Sequence, residues 1–496
     1  MAAAWRLWRA RGGTWWWAIA AIVVPVTLLA AAAVITLMLT VSTAGNAQLK
    51  IELIRTGLTV GVGTGGVVAL VLAGRRQWAT EQANRVTEHD ATERRLTELY
   101  VKAVEQLGSD RPAVRHGGLY ALERVAQDNP YHRQVVVDVI CAYLRSPFQL
   151  PGTRRPHNRP GIHRPLAPRH GHTRPVAEQA TSSTVAEIDD EALQEREVRL
   201  TAQRILATHL RPGGDPEHPA RTFWRDVNVD LTGATLIDFN LDDCQIREAK
   251  FHRATFAGDA GFSDTTFTQG AWFAETAFAS EAYFRNTTFA SHASFDKATF
   301  TGRAWFSSAT FTSDAWFREA NFTSDAWFSS ATFTSDAYFI KATFMSHALF
   351  DEASFIGNGW FNEANFTDNA LFREANFTSD AYFIKATFSD TYFIKATFAS
   401  HTQFNKATFT GHAWFREAIF ACHVWFDVVS FTGHAYFDKA TFDVASCASG
   451  ASIRVDSIGD SSWPSGWSAE VPRAAEEMWA RLVPVPAVLA SPGTDA

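Results

Sequence analysis

Three hydrophobic patterns succeed one another along the chain. Residues 15–41 carry no charge and run from Trp15, Trp16 and Trp17 through Ala, Ile, Val and Leu, longer than the about 20 residues that a bilayer-spanning helix needs. A second apolar run, 56–73, stops at Arg75 and Arg76. Arg6, Arg9 and Arg11 precede the first run, whereas the short loop between the two carries Lys50 and Glu52. That bias predicts a two-helix transmembrane hairpin over 1–78 in the plasma membrane, with both termini cytoplasmic. A cleaved signal peptide is the competing reading, but the run is roughly twice the usual signal core. Gly61, Gly63 and Gly66 spell G-x-G-x-x-G, yet a dinucleotide-binding turn must follow a strand rather than sit inside an apolar span. Gly57, Gly61 and Gly65, four apart, instead suit close helix packing.

Over 79–150 the period changes to three and four. Leu96, Leu99, Val104 and Leu107, then Leu119, Leu122 and Val125, then Val136, Val139, Ile140 and Tyr143 predict three amphipathic helices. Pro112 and Pro130 open the second and third, and Gly108 closes the first. The short paired helices resemble a fragment of a HEAT or armadillo array. Residues 151–187 break the pattern, being rich in Pro, Arg and His with almost nothing apolar up to Pro175. A solvated spacer is the plain expectation. Arg154, Arg155, Arg159 and Arg164 are candidates for lipid-headgroup contact, with nucleic acid as the alternative, and His157, His163, His170 and His172 are alternative metal contacts. A linking helix is expected over 188–222, beginning near Ile188.

From Val229 onward the period becomes that of a strand. The chain divides into fives, VDLTG, ATLID, FNLDD, CQIRE and AKFHR, and then into alternate steps of five and six, as in FTSDAWFREAN from Phe311 to Asn321. Composition now acquires a meaning. Of 39 Phe, all but Phe148, Phe223 and Phe239 stand at the 36 centres between Phe251 and Phe442. Two residues before those centres stands Ala, except for Thr265, Thr276, Thr287, Gly359, Thr391, Thr402, Val424 and Val429. Small residue and Phe therefore point inward and the residue between them outward. Three residues of strand cannot stand alone, so each must stack on copies of itself. No Pro interrupts 221–463, as a stack using every strand N–H requires. One step departs: Phe383, Phe388, Phe393 and Phe398 are five apart, which predicts one coil of 21 residues and a slight bend.

These motifs resemble the pentapeptide-repeat family, whose unit is A-(D/N)-L-x-x with Phe often at the centre. The likeness covers 229–442 and implies a right-handed, four-sided β-helix over 223–442, about ten coils and about 48 Å long at strand spacing. The whole reads as mainly β, preceded by the helical segments and followed by a cap and tail over 443–496 that contains Trp463, Trp467 and Trp479. The hairpin and the stretch KAVEQLGSD followed by GGLYALERVAQ also look like those of membrane-bound actinobacterial members.

A coil of 22 residues sorts the outward positions into columns. Trp272, Trp316, Tyr338, Trp360 and Tyr382 share one column with Ser294. Tyr283, Trp305, Trp327, Tyr392, Trp414 and Tyr436 share the opposite one with Leu349 and Leu371. The other two sides carry Thr and Asn. Such ladders either stabilise the stack through cross-strand pairs or form a surface covered by a partner, a second copy or the helical domain. His401 over His423 and His412 over His434 lack a carboxylate partner, so a solvated corner is expected and no metal.

Charge bears on a rival function. The resemblance also implies DNA-mimicking rods that bind a type II topoisomerase. Residues 229–442 hold 24 acids and 14 bases, a net of −10, whereas duplex mimicry at one charge per about 1.7 Å would want nearly 30 over such a rod. The four cysteines, Cys141, Cys244, Cys422 and Cys447, are too few and scattered for a disulfide framework and fit a reducing compartment. No nucleophile has a base at usable spacing, so no catalysis, cofactor or small-molecule substrate is expected. The sequence therefore points to a non-catalytic, membrane-anchored cytoplasmic scaffold that presents a rigid rod to another protein.

Overall fold

In the computed structural model the described residues are 47–148, 177–215, 217–442, 451–463, 467–471 and 478–484, with scattered positions in 21–39. The basic segment with Arg154, Arg155, Arg159 and Arg164, and most of the first apolar run, lie outside them. The chain forms two compact units, 1–98 and 99–496.

Helix α1, Ala47–Leu107, is continuous for 61 residues. This corrects the expected arrangement of a loop carrying Lys50, a span ending at Arg75 and a separate amphipathic helix. No Pro falls within these residues, and once nucleated a helix propagates through Arg, Gln, Glu and Ala at little cost. It ends where expected, with the Gly108 N–H donating to the Val104 carbonyl at 3.1 Å. Among the described residues no helix is long and apolar enough to cross a membrane. Gly57, Gly61 and Gly65 lie on α1, but their surroundings are outside the described residues. Leu99 and Val104 are exposed rather than inward; Ala103 and Leu107 carry the buried face.

Helices α2 (Pro112–Asp128) and α3 (Arg133–Arg145, after a 3-10 turn at Pro130–His132) pack with α4, Ala177–Leu210. The last begins eleven residues earlier than the sequence reading placed it, directly after Pro175, because 177–187 contain no helix breaker. Leu119, Leu122, Val136, Ile140, Leu144, Val198 and Leu206 are buried between them. Fully buried Arg199 is held by Glu195 at 2.8 Å and by the carbonyls of Leu144 and Ser146 at 2.9 and 2.8 Å. Every polar atom of a buried guanidinium needs such partners, since an unpaired buried charge is costly.

The repeat forms a right-handed β-solenoid of about ten coils. Strands β1 (Asn228–Asp230), β2 (Thr235–Asn240), β3 (Gln245–Ile246), β4 (Glu248–Lys250) and β5 (Thr255–Gly261) begin it, and two of its sides are parallel sheets of ten strands each. The opening coil pairs at 20 and 21 residues, as Asn228 with Glu248 and Gln245 with Thr266; from Ala249 onward strand partners stand 22 residues apart, as Thr288 and Thr310 do, except for one set at 21: Ala370 with Thr391, Asn376 with Thr397, Ala381 with Thr402 and Thr387 with Thr408. The pairing returns to 22 at Thr391 and Ala413, so the one deleted residue is absorbed at a corner without breaking any side.

The alternate steps of five and six have a backbone cause. At each tight corner the third residue of a four-residue turn that starts at Phe and ends at Ala, Thr or Val is left-handed, with φ between 55 and 61° at every such position from Arg253 to Lys439. The turn closes by a bond such as Ala320 N–H to Phe317 carbonyl at 3.2 Å. Left-handed backbone costs an L-residue roughly 1–2 kcal/mol, and short polar or flexible side chains tolerate it best. The positions accordingly carry Asp, Asn, Ser, Glu, Arg or Lys, with the single exception of Val428.

Inside, successive Phe rings stack. Phe333 lies 4.9 Å from Phe311 and 4.8 Å from Phe355, with Phe339 meeting it edge-on at 5.9 Å. These are preferred aromatic geometries. In the early coils, where Thr replaces the inward Ala, its hydroxyl bonds the coil before it, as Thr276 does to the Phe251 carbonyl at 2.7 Å and Thr287 to that of Phe262 at 2.7 Å, whereas Thr391 and Thr402 bond the carbonyl two residues back, of Ser389 at 3.3 Å and Ser400 at 3.5 Å.

Both ends are covered. At the first coil, two glutamines of the helices imitate a neighbouring strand and a third braces the chain just before it. Gln203 accepts from the Ile237 N–H at 3.0 Å and donates to its carbonyl at 2.7 Å. Gln134 does the same for Asn228, at 2.9 Å each way. Gln127 donates to the Arg221 carbonyl at 2.9 Å and accepts from the Trp224 indole at 2.9 Å. This satisfies backbone groups that an open edge would leave unpaired. At the far end Ser452–Arg454 adds a parallel rung below Ser430–Phe431, then pairs antiparallel with Trp479–Pro484, which pairs with Trp467–Glu470. Trp463 stacks on Phe437 at 6.3 Å.

Candidate interaction surface

The aromatic columns stand on opposite sides of the solenoid, one on the sheet containing β1 and β4, the other on the run from Ala282–Tyr283 to Ala435–Tyr436. Their rings do not project freely. Every one, from Trp272 to Tyr436, is half-buried, because each lies along the face against the ring above or below. Trp305 and Trp327 stack at 4.9 Å, Trp360 and Tyr382 at 4.0 Å, and Tyr392 and Trp414 at 4.2 Å with Tyr436 a further 5.7 Å on. Tyr338 meets Trp360 at 6.1 Å and Tyr283 meets Trp305 at 6.5 Å. Trp272 and Trp316, two coils apart, approach to 6.2 Å over buried Ser294. The columns are thus flat strips, and ring stacking within the chain accounts for part of the apolar surface that the sequence alone assigned to the outside.

Two residues before the rings, Glu281, Asp314, Asp325, Asp336, Asp380 and Asp390 place carboxylates beside the strips. Trp305 Nε1 donates to Glu281 at 3.0 Å, Trp360 Nε1 to Asp336 at 3.1 Å, Tyr283 Oη to Glu281 at 2.8 Å and Tyr382 Oη to Asp380 at 2.9 Å. Arg285 lies over the Trp305 ring at 4.1 Å, a cation–π contact. Burial alone would raise the Asp380 carboxyl, but bonds from Ser400, Tyr382 and the His401 N–H outweigh it and hold Asp380 below its ordinary value. The Tyr382 phenol is pushed up, first by burial and then by its bond to Asp380. Neither chemistry nor exposure singles out a nucleophile here. Burial lifts the thiols of Cys141 and Cys244 to about 12, which leaves them inert.

The tight corners are laced by charge. Arg253 and Glu275 pair at 3.0 Å, Lys341 and Lys385 flank Glu363 at 3.8 and 3.4 Å, and Lys395 meets Glu374 at 3.4 Å. Exposed pairs of this kind contribute little stability. Their effect is on the outer field, since many of the acids have a base one coil away.

One cluster went unrecognised in the sequence. His401 and His423 do stand one coil apart, but Cys422 stands with them: Cys422 Sγ lies 3.2 Å from His401 Nδ1 and 3.9 Å from His423 Nδ1. The three donor atoms fall within 4.8 Å of one another, and they are the one such trio of His, Cys or carboxylate groups among the described residues. The signal was present, since Cys422 precedes His423 directly and lies one rung, 22 residues, after Ser400, the neighbour of His401.

The architecture is that of a capped repeat solenoid. Residues 241–430 match the family described as pentapeptide repeats (9 copies), in overlapping stretches from 241–288 to 385–430, so the repeat region is of the pentapeptide-repeat class. No curated protein and no solved structure matches the chain.

Proposed function

We propose that the chain is a non-catalytic scaffold, anchored in a membrane through its N-terminal apolar runs, whose solenoid binds another protein along its aromatic strips. The observation that carries this reading is the pair of strips itself. Trp305 with Trp327 and Tyr392 with Trp414 and Tyr436 form flat, stacked, half-exposed aromatic surfaces, rigidly fixed by the parallel ladders beneath. Pre-ordered Trp and Tyr offer large contact area at little entropic cost on binding, and such residues dominate interface energetics. The carboxylates beside them supply directional acceptors at the strip margins. Anchoring is supported by the uncharged length of 15–41 and by the arginines around both runs. The paired corners and the modest net charge of −10 over 229–442 favour a protein partner of mixed surface over a topoisomerase that reads duplex charge. The test is cross-linking of the full chain in native membranes, with peptides identified by mass spectrometry, for the parent and for Trp305→Ser with Trp327→Ser. The reading expects the parent's protein adducts to disappear in the variant at unchanged abundance and fold; an identical adduct profile would sink it.

A further inference from the structure

We propose that His401, Cys422 and His423 form a zinc site on the outside of the solenoid, with water as fourth ligand. The argument begins with what the repeat ordinarily does at this corner. The hydroxyl of the Ser just before the corner residue, which is Asp336 in one coil and His347 or His401 in others, bonds the carboxylate one coil earlier: Ser335 to Asp314 at 2.5 Å, Ser346 to Asp325 at 2.5 Å, Ser400 to Asp380 at 2.6 Å. At Ser400 and one rung beyond it, three departures coincide. His401 stands where an Asp stands in Asp380, Cys422 stands where the serines stand, and His423 replaces the next Asp. A repeated Ser–Asp pair has become Cys with two His, a change from hard oxygen donors to the sulfur and nitrogen donors that zinc prefers.

The geometry matches. Zn–S of about 2.3 Å and Zn–N of about 2.0–2.1 Å in a tetrahedron put sulfur and nitrogen about 3.6 Å apart. The two Sγ to Nδ1 distances, 3.2 and 3.9 Å, bracket that value. Both histidines would coordinate through Nδ1 and keep the proton on Nε2. Cys422 would release its thiol proton to solvent on binding. The His401 N–H donates to Asp380 Oδ1 at 3.2 Å, which fixes the backbone that carries the first ligand. Trp425 walls the site, 5.4 Å from His401 and 5.8 Å from His423. Exposed His423 leaves one side open for water.

The comparison corner argues that the cluster is particular. His412 and His434 also stack, at 4.9 Å, but their Nδ1 atoms are engaged: His412 Nδ1 accepts from the His434 N–H at 3.1 Å, and His434 Nδ1 meets the Ser457 carbonyl at 3.0 Å. The bland alternative is a plain hydrogen bond like that of Ser313 with His292 at 3.1 Å, with Cys422 in place of the serine.

The test uses the full chain, loaded separately with zinc and with cobalt under reducing conditions. The proposal expects one equivalent of thiolate-bound metal, seen as a thiolate-to-cobalt charge-transfer absorption and as quenching of Trp425 fluorescence. Cys422→Ser should abolish that absorption, and His423→Asn should weaken zinc at least tenfold in competition with a chelator. Cys447→Ser should change neither, and circular dichroism should show all three variants folded. Absence of a thiolate band in the parent overturns the proposal. So does metal binding unchanged in Cys422→Ser, which would place the ion on the histidines between 157 and 172.

Discussion

The replacement Phe333→Ala probes the stacked core at mid-solenoid. The ring is fully buried and sandwiched between Phe311 and Phe355 at 4.9 and 4.8 Å, with Phe339 edge-on at 5.9 Å. Phe→Ala in a core costs about 3–5 kcal/mol, more where the surroundings cannot collapse into the cavity. Here they cannot, because the Phe333 strand is bonded above and below in parallel register, Thr332 to Thr310 and to Ser354. The upper part of the range, about 4–5 kcal/mol, is therefore expected. For a unit of this size each kcal/mol shifts the midpoint by roughly 2–4 °C, which gives a fall of about 8–20 °C in scanning calorimetry of the full chain. Because coils touch only their neighbours, the transition should also broaden as the solenoid divides into weakly coupled halves. Outward Thr332→Ala in the same strand should move the midpoint by no more than about 2 °C. Equal shifts for the two variants would refute the inward stacking.

Two further outcomes follow from the caps and the columns. Gln203→Ala leaves the Ile237 N–H and carbonyl without their partner and should destabilise by about 2–4 kcal/mol, with hydrogen exchange accelerating first in the opening coil and not at the far end. Asp380 sits below its ordinary 3.8 because hydrogen bonds outweigh burial. A depressed carboxylate gives stability that is complete above the unfolded value and lost as pH falls through the folded one. Melting temperature in the Asp380→Asn variant should therefore depend less on pH below about 4 than in the parent, and equal slopes would contradict the assignment.

The solenoid was legible because its code is local and repeated. A small residue, any residue and Phe fix inward and outward positions by strand alternation alone, and one missing residue between Phe383 and Phe398 sufficed to place the coil of 21. The tight corners were legible only as a step of five; the left-handed residue that closes them has no single identity, being Glu319 in one coil and Lys341 two corners later. The caps were harder. Gln134 and Gln203 look like surface residues of amphipathic helices, and only their approach to Asn228 and Ile237 shows them replacing a strand. Helix ends were misplaced for the same reason in α1 and α4. Hydrophobic pattern marks which face is buried, whereas a helix continues through polar residues until a breaker stops it. The cluster at Cys422 escaped because cysteines were weighed as a count along the chain and not as neighbours across one rung. Ring stacking along the columns likewise depends on side-chain direction, and it reduces the exposure that alternation alone suggested.

Site-specific photo-crosslinking tests the scaffold account most directly. A photoreactive residue is placed at Leu349 or Leu371, outward positions within one aromatic column, and in parallel at Thr310 or Thr332 on a polar side. Irradiation of cells carrying the full chain should give adducts to the same protein from both column positions and none from the polar ones. No adduct at Leu349 and Leu371, or the same adducts from all four positions, would contradict a binding role for the aromatic strips.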